Sequence, residues 1–376
     1  MFAFTDAFIF RRTSNFTEVA VYNLGIFISL PIFFAVNGLL LKKFDIRKIF
    51  FVGLLGQGFT TSLLFFFPTA TLVALFFIAC LQGMFMGFYW ANRNFITIAL
   101  TKDEHRNYFN GLLYTIRTLA GVIAPFFFGW FIFLGSSLHI SSFRLSYQIL
   151  AICIIALQFF AGLVFQTAQV ENPKVRNVIL LHPSPKWILT RFATTFLGIE
   201  DGVAYFLPAL IALTFLGKEN ALGTMQSVAA LVVAVALYIF GRVANSKHRL
   251  DVIRFAVVLI IVTASFFSLF FSAAMAIIYL IGISTTDNFM WLGFDLISMK
   301  VTEDENGGNL LNNYAHIADR ELFLNIGRII GISVFFMLIQ FFSQQISLRF
   351  TPLAVALCEV LLLFFVTKLC ENRKQH

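Results

Sequence analysis

Ionisable side chains lie deep inside stretches that are otherwise apolar: Arg93, Arg117, Glu200, Asp201, Asp287, Asp295 and Arg328. Each such charge costs roughly 2.5–3.5 kcal/mol at the centre of a membrane-spanning helix, so together they would oppose membrane residence by on the order of 20 kcal/mol if they faced lipid. They must therefore face one another or a wet path. A wet path lined with both signs of charge is what a solute-moving protein needs, and a passive anchor has no use for it.

The spacing groups these residues. Gln82, Tyr89 and Arg93 share one face at about 100° per residue, with Trp90 beside them, and Asp287, Trp291 and Asp295 recur at helical spacing on a second segment. A cation on one and carboxylates on the other could hold a zwitterion or exchange protons. Alternatively, Arg93 and Asp295 pair with loop groups and lock one closed state.

Glu200-Asp201 lies between Gly198 and Gly202 and ahead of Pro208, residues that permit a local helix break. A desolvated carboxylate there can load and release a proton near neutral pH, which makes Glu200 and Asp201 the expected coupling residues. The competing role is an ion pair with Arg117 or Arg328 that holds the two halves of the chain together. Those arginines either snorkel to the membrane surface or face inward as a cationic pair suited to a carboxylate or phosphate.

The elements that must position them are membrane helices. Hydrophobic residues make up 59% of the 376 positions and charged residues 12%, and the mean hydropathy is +0.85. A soluble domain carries about twice that charge. Apolar runs predict about eleven spans, near 19–41, 49–67, 71–99, 110–135, 145–167, 187–216, 223–243, 252–271, 274–299, 321–344 and 349–370. The fold class is all-α, a polytopic helix bundle, with an N-terminal bundle over 1–167, a central loop over 168–186 and a C-terminal bundle over 187–376.

The net charge of +8 is no nucleic-acid signal. Lys42, Lys43, Arg47, Lys48, Lys102, Lys186, Lys300, Lys368 and Arg373 fall on one side of the expected membrane, whereas Arg11, Arg12, Arg144, Lys218 and Arg349 fall on the other. The richer side is expected to be cytoplasmic and to hold the C-terminus. Cys80, Cys153, Cys358 and Cys370 have no CxxC pairing, and the histidines are placed in loops or at the C-terminus without ligand spacing. Neither a metal nor a cofactor is expected. No nucleophile stands with a base, so no enzyme is expected.

The halves repeat. Gly87-Phe88-Tyr89-Trp90 through Thr101-Lys102-Asp103-Glu104 aligns without a gap on Asn288-Phe289-Met290-Trp291 through Thr302-Glu303-Asp304-Glu305. Asn94 falls on Asp295, and Arg117 with Gly121 answers Arg328 with Gly331. By the same logic Arg11-Arg12 answers Lys218, yet only the last third of a helix precedes it. The rest of that first helix is expected to lie before residue 1, removed by a misassigned start or a truncation.

Duplicated helices around a long central loop resemble the major facilitator superfamily. Its loop motif is present as Gly38-Leu-Leu-Leu-Lys42-Lys43-Phe44-Asp45-Ile46-Arg47-Lys48, with Lys42 at the usual acidic position. Gln82-Gly83 with Gly87 is similar to the Gln-Gly segment of the family's fourth helix. Gly121-Val-Ile-Ala124-Pro125 with Gly129 is similar to the Gly-Pro motif of drug:proton antiporters. The resemblance implies alternating access and makes the helices of 71–99 and 274–299 cavity-lining. It also implies a small-molecule substrate held by Gln82, Tyr89, Trp90, Arg93, Arg117, Asp287, Trp291, Asp295 and Arg328.

The expected protein is a proton-coupled secondary transporter, with export suggested by the Gly-Pro segment, working as a monomer in the lipid bilayer of the cell membrane. Rival readings are a transport-inactive receptor or scaffold and a flippase for lipid-linked molecules. Gly121, Gly129, Gly327 and Gly331 are expected to permit close helix packing.

Overall fold

The computed structural model describes residues 2–67, 71–100, 103–168, 170, 172, 175, 177–243, 249–306 and 313–371. Side chains within 98–115 and 241–249, and at 2, 296, 303, 306 and 313, lie outside the description. Lys102 and Arg373, read above as marking the basic side, therefore fall outside the described residues.

Among the described residues the chain forms thirteen α-helices and no strand. They are α1 (Phe2–Thr13), α2 (Phe16–Leu40), α3 (Ile46–Phe66), α4 (Leu72–Leu100), α5 (Asp103–Ser137), α6 (Phe143–Gln166) and α7 (Pro185–Ala204). There follow α8 (Leu207–Leu216), α9 (Glu219–Val243), α10 (Arg249–Phe270), α11 (Ala273–Asn306), α12 (Asn313–Phe341) and α13 (Gln344–Glu371). Eleven spans are long and apolar enough to cross a membrane, α7 and α8 counting as one. Helices dominate because a backbone in lipid must satisfy its own N–H and C=O groups.

Local chemistry sets the ends. Asn15, Asp45, Ser142 and Ser184 each accept a hydrogen bond from the first turn of the helix that follows. Arg47 hydrogen-bonds Asp45 and holds its carboxyl below the usual carboxylate range. The same arginine reaches the carbonyls of Gln166 and Ala168, so the start of α3 is tied to the end of α6. Gly217 closes α8 at φ +90°, a conformation that favours glycine.

The expected break after Glu200-Asp201 is present. Helix α7 stops at Ala204 and α8 resumes at Leu207, with Pro208 in its first turn. Helix α12 starts earlier than the hydropathy suggests, at Asn313. His316 therefore stands in a helix rather than a loop, buried edge-on against Trp187 at 4.5 Å. Tyr314, Ile317 and Ala318 pack against the core there and Ala315 is buried beside them, which is what extends the helix beyond the most apolar stretch.

Helices α1–α6 and α7–α13 each pack mainly among themselves, and the two most extensive seams between them are α2 on α12 and α5 on α9. The sequence repeat relates α5 to α12, so these are equivalent seams. The second is tight. A Cβ on Gly223 would sit 3.0 Å from the Gly129 Cα, and Trp130 donates to Thr224 across it at 3.2 Å. Helix α1 packs on α8 and α2, and its Arg11 bridges the halves to Glu219 at 2.7 Å.

Candidate functional site

Four glycines bring α7 and α12 almost backbone to backbone. A Cβ on Gly327 would lie 2.8 Å from the Gly198 Cα, and one on Gly202 would lie 2.7 Å from the Arg328 carbonyl oxygen. Gly331 likewise sits against the Ile199 carbonyl. This closeness seats Arg328 directly over Asp201.

The Arg328 Nε donates to Asp201 Oδ2 at 2.6 Å, and its Nη1 donates to Asn325 Oδ1 at 3.1 Å and Glu321 Oε1 at 3.3 Å. Asn325 in turn donates to Glu321 at 3.0 Å, and Trp291 Nε1 donates to the other oxygen of Asp201 at 3.1 Å. Arg328 is 7% exposed and Asp201 5%. A buried ion pair repays its desolvation only when its remaining hydrogen-bonding groups are also satisfied, and this one comes close to that. The guanidinium also lies over Phe27 of α2 and Tyr205 at the α7–α8 break, at 4.9 and 5.7 Å from their ring centres. The network belongs to the second half but abuts the first.

A different situation holds one residue away. Glu200 on α7 and Glu359 on α13 are both 0% exposed, and no described residue donates a hydrogen bond to either carboxyl. Asp287 on α11 is half-buried with one oxygen unpartnered, and the charges of Glu200, Glu359 and Asp287 lie close enough to act on one another. Arg117, on α5 of the other half, is exposed, and its charge reaches Asp287 and Tyr205.

The structure thus gathers Glu200, Asp201, Asp287, Trp291 and Arg328, with Arg117 facing them. It separates the rest. Gln82 is buried in the first half, where Thr60 of α3 donates to its side chain. Tyr89 packs on Phe50 of α3 at 5.2 Å, so the Gln82–Tyr89 face is turned toward α3. Arg93 lies over Trp90 at 4.8 Å on its own helix. Asp295 binds Arg320 at 2.7 Å, which places it in an ion pair within the second half rather than opposite Arg93.

The cationic-pair reading needs correcting. Arg117 and Arg328 do not form an equivalent cationic pair, because Arg328 is already bonded to Asp201, Glu321 and Asn325. Arg191, also on α7, forms an ion pair with Asp319 at 2.6 Å, and Trp187 donates to the same carboxylate.

Other polar groups escaped the sequence reading. Glu359 carried the same signal as the others, a lone carboxylate in an apolar run. Glu321 and Asn325 sit at a span end and gave none. Asn37 and Asn92 exchange hydrogen bonds at 3.1 and 2.9 Å, and Asn37 also donates to Tyr314 of the other half at 3.1 Å. The Tyr314 hydroxyl donates to the Phe34 carbonyl at 2.8 Å, and its ring occupies the space that a side chain at Gly38 would need. Tyr314→Phe is expected to cost about 1–3 kcal/mol by leaving buried partners unsatisfied. Denaturant unfolding in mixed micelles measures it; a cost below the lower bound would show that the ring alone holds this seam.

The model for the Major Facilitator Superfamily matches residues 14–312. The chain is 26% identical over 381 residues to the uncharacterized protein YqgE of Bacillus subtilis (strain 168), covering 99% of this chain and 86% of that protein. It is 30% identical over 191 residues to an uncharacterized protein in the sodM 3' region of Geobacillus stearothermophilus, covering 48% of this chain and 80% of that one. Among solved structures it resembles FucP in the outward conformation, with a TM-score of 0.62 and 14% identity over 98% of this chain and 96% of that one. A second structure of FucP, described as the E. coli fucose:proton symporter, matches equally well.

Proposed function

The chain belongs to the Major Facilitator Superfamily, a multi-pass membrane transporter family, and from that premise we propose that it moves a small solute by alternating access coupled to protons. The observation that carries the coupling is Glu200: a fully buried carboxyl, with no hydrogen-bond donor among the described residues, one residue from the ion pair where the halves meet. An unpaired carboxylate there would be costly, whereas a carboxylic acid is tolerated, so taking up or losing a proton changes the energy of the packing around it. Asp201 is engaged by Arg328 and Trp291, which leaves Glu200 as the carrier.

Arg117 and Asp287 supply opposite charges on opposite halves. A solute bearing both signs would bridge them and link its own binding to the closing of the junction. The face bearing Lys42, Lys43, Lys186 and Lys368 is taken as cytoplasmic, which places the C-terminus inside the cell membrane's inner face.

Proteoliposomes loaded with a pH-sensitive dye test the proposal by screening small zwitterions, sugars and organic ions. At least one solute should drive proton movement in the wild type, and Glu200→Gln should reduce it at least about tenfold. Equal proton movement in the Glu200→Gln protein would remove Glu200 from the coupling. A solute flux indifferent to pH would remove the coupling itself.

A further inference from the structure

We infer that Glu359 and Glu200 together form a two-carboxyl proton-binding site inside the second half, with Asp287 as its opening toward Arg117. Its use in transport rests on the proton-coupled reading above; its existence does not.

Helix α13 packs along α7, and Glu359 stands on its buried stripe with Thr351, Val355, Leu362 and Val366. It is the carboxylate of that stripe. Nothing in the packing requires an acid there, since the neighbouring stripe positions are apolar or hydroxyl-bearing. Glu200, buried on α7, lies close enough for the charge at Glu359 to act on it. Neither residue is exposed, and all of their carboxyl oxygens lack a hydrogen-bond donor among the described residues.

The nearby cation does not serve them, because the Arg328 guanidinium is bonded to Asp201, Glu321 and Asn325. The titratable groups around the pair are Asp201 on α7, Asp287 and Tyr279 on α11, and Cys358 beside Glu359. None of them is a base that would carry a positive charge. Two carboxyls in apolar surroundings without a counter-cation can remain only if protons neutralise them. Because like charges at close range cannot both develop, the loss of one proton must hinder the loss of the second. Asp287, half-buried and nearer Arg117, is the member through which a proton would enter or leave.

Infrared spectroscopy of the purified full chain in nanodiscs reads this without any transported solute, since the C=O stretch of a carboxylic acid is distinct from the carboxylate bands. At neutral pH, Glu200→Gln and Glu359→Gln should each remove one carboxylic-acid band that shifts on deuteration. In the Glu359→Gln protein the surviving Glu200 band should also titrate at a pH lower than in the wild type, by about one unit or more. Where Glu359→Gln fails to fold, the reciprocal reading of the Glu359 band in Glu200→Gln supplies the same comparison.

Loss of only a carboxylate band, or a Glu200 titration unmoved by the change at 359, overturns the pair. So would acid bands that vanish on adding sodium chloride at constant pH, which would make the occupant a sodium ion. Paired titration alongside unaltered flux in Glu200→Gln proteoliposomes would instead refute the transport reading and leave the site standing.

Discussion

Arg328→Met is expected to destabilise the protein by about 3–5 kcal/mol, because it strands buried carboxylates without their cation. Methionine approximates the length of the arginine stem, so the lost quantity is chiefly electrostatic rather than a cavity. Asp201 would retain one donor, Trp291, and Glu321 would retain Asn325. Neither is a counter-charge. Asp201→Asn should cost less than Arg328→Met, since Glu321 and Asn325 still bind the guanidinium. The double variant should fall well short of the sum, with a coupling energy of about 0.5–3 kcal/mol. Denaturant unfolding in mixed micelles supplies all four corners of the cycle. Additive penalties would mean that the two side chains stabilise the fold independently and that the ion pair is not a unit.

Gly327→Val should have the next largest effect. Even a methyl group at this position would lie 2.8 Å from the Gly198 Cα and closer still to the Thr195 carbonyl, both of them backbone that cannot rotate away. Overpacking of this kind costs about 1–3 kcal/mol, occasionally more, and here it must push α7 and α12 apart. That movement lengthens the Asp201–Arg328 contact, so the Arg328→Met penalty should shrink in the Gly327→Val background. Gly121→Ala is the matched control. Its Cβ would meet Ala230 at 3.6 Å, an ordinary contact, and since alanine is the better helix former the change should be neutral to stabilising by up to about 1 kcal/mol. Similar costs at 121 and 327 would show that α7 and α12 do not depend on their glycines.

The spans, the repeat and the break ahead of Pro208 were legible because each is written in local chemistry. Apolar runs of the required length, a Trp-containing segment recurring at a fixed offset, and glycines around Glu200-Asp201 need no tertiary information. The direction in which a side chain points was less legible. Helical spacing groups Gln82, Tyr89 and Arg93 near one face, but it could not say that α3 would cover the first two. The repeat equated Arg117 with Arg328, yet their surroundings differ because Asp201 and Glu321 flank only the second. Glu321 and Asn325 lie where apolar patterning fades, so their part in the network depends on a helix that begins before the hydropathy rises. His316 was misplaced for the same reason.

The polar groups that tie the helices within each half together differ in kind. Between its buried helix faces the first half uses uncharged contacts such as Asn37–Asn92 and Thr60–Gln82, whereas the second uses Asp201–Arg328–Glu321, Asp295–Arg320 and Arg191–Asp319. Those ion pairs join helices of one half, so when that half tilts they travel with their counter-ions and contribute little net current. A carboxyl that crosses neutral and returns ionised has no such companion. Membrane voltage acts on it with about 2.3 kcal/mol per elementary charge for each 100 mV traversed. Electrical sensitivity should therefore be concentrated in the few acids that lack a cation, whatever the total number of charges the helices carry.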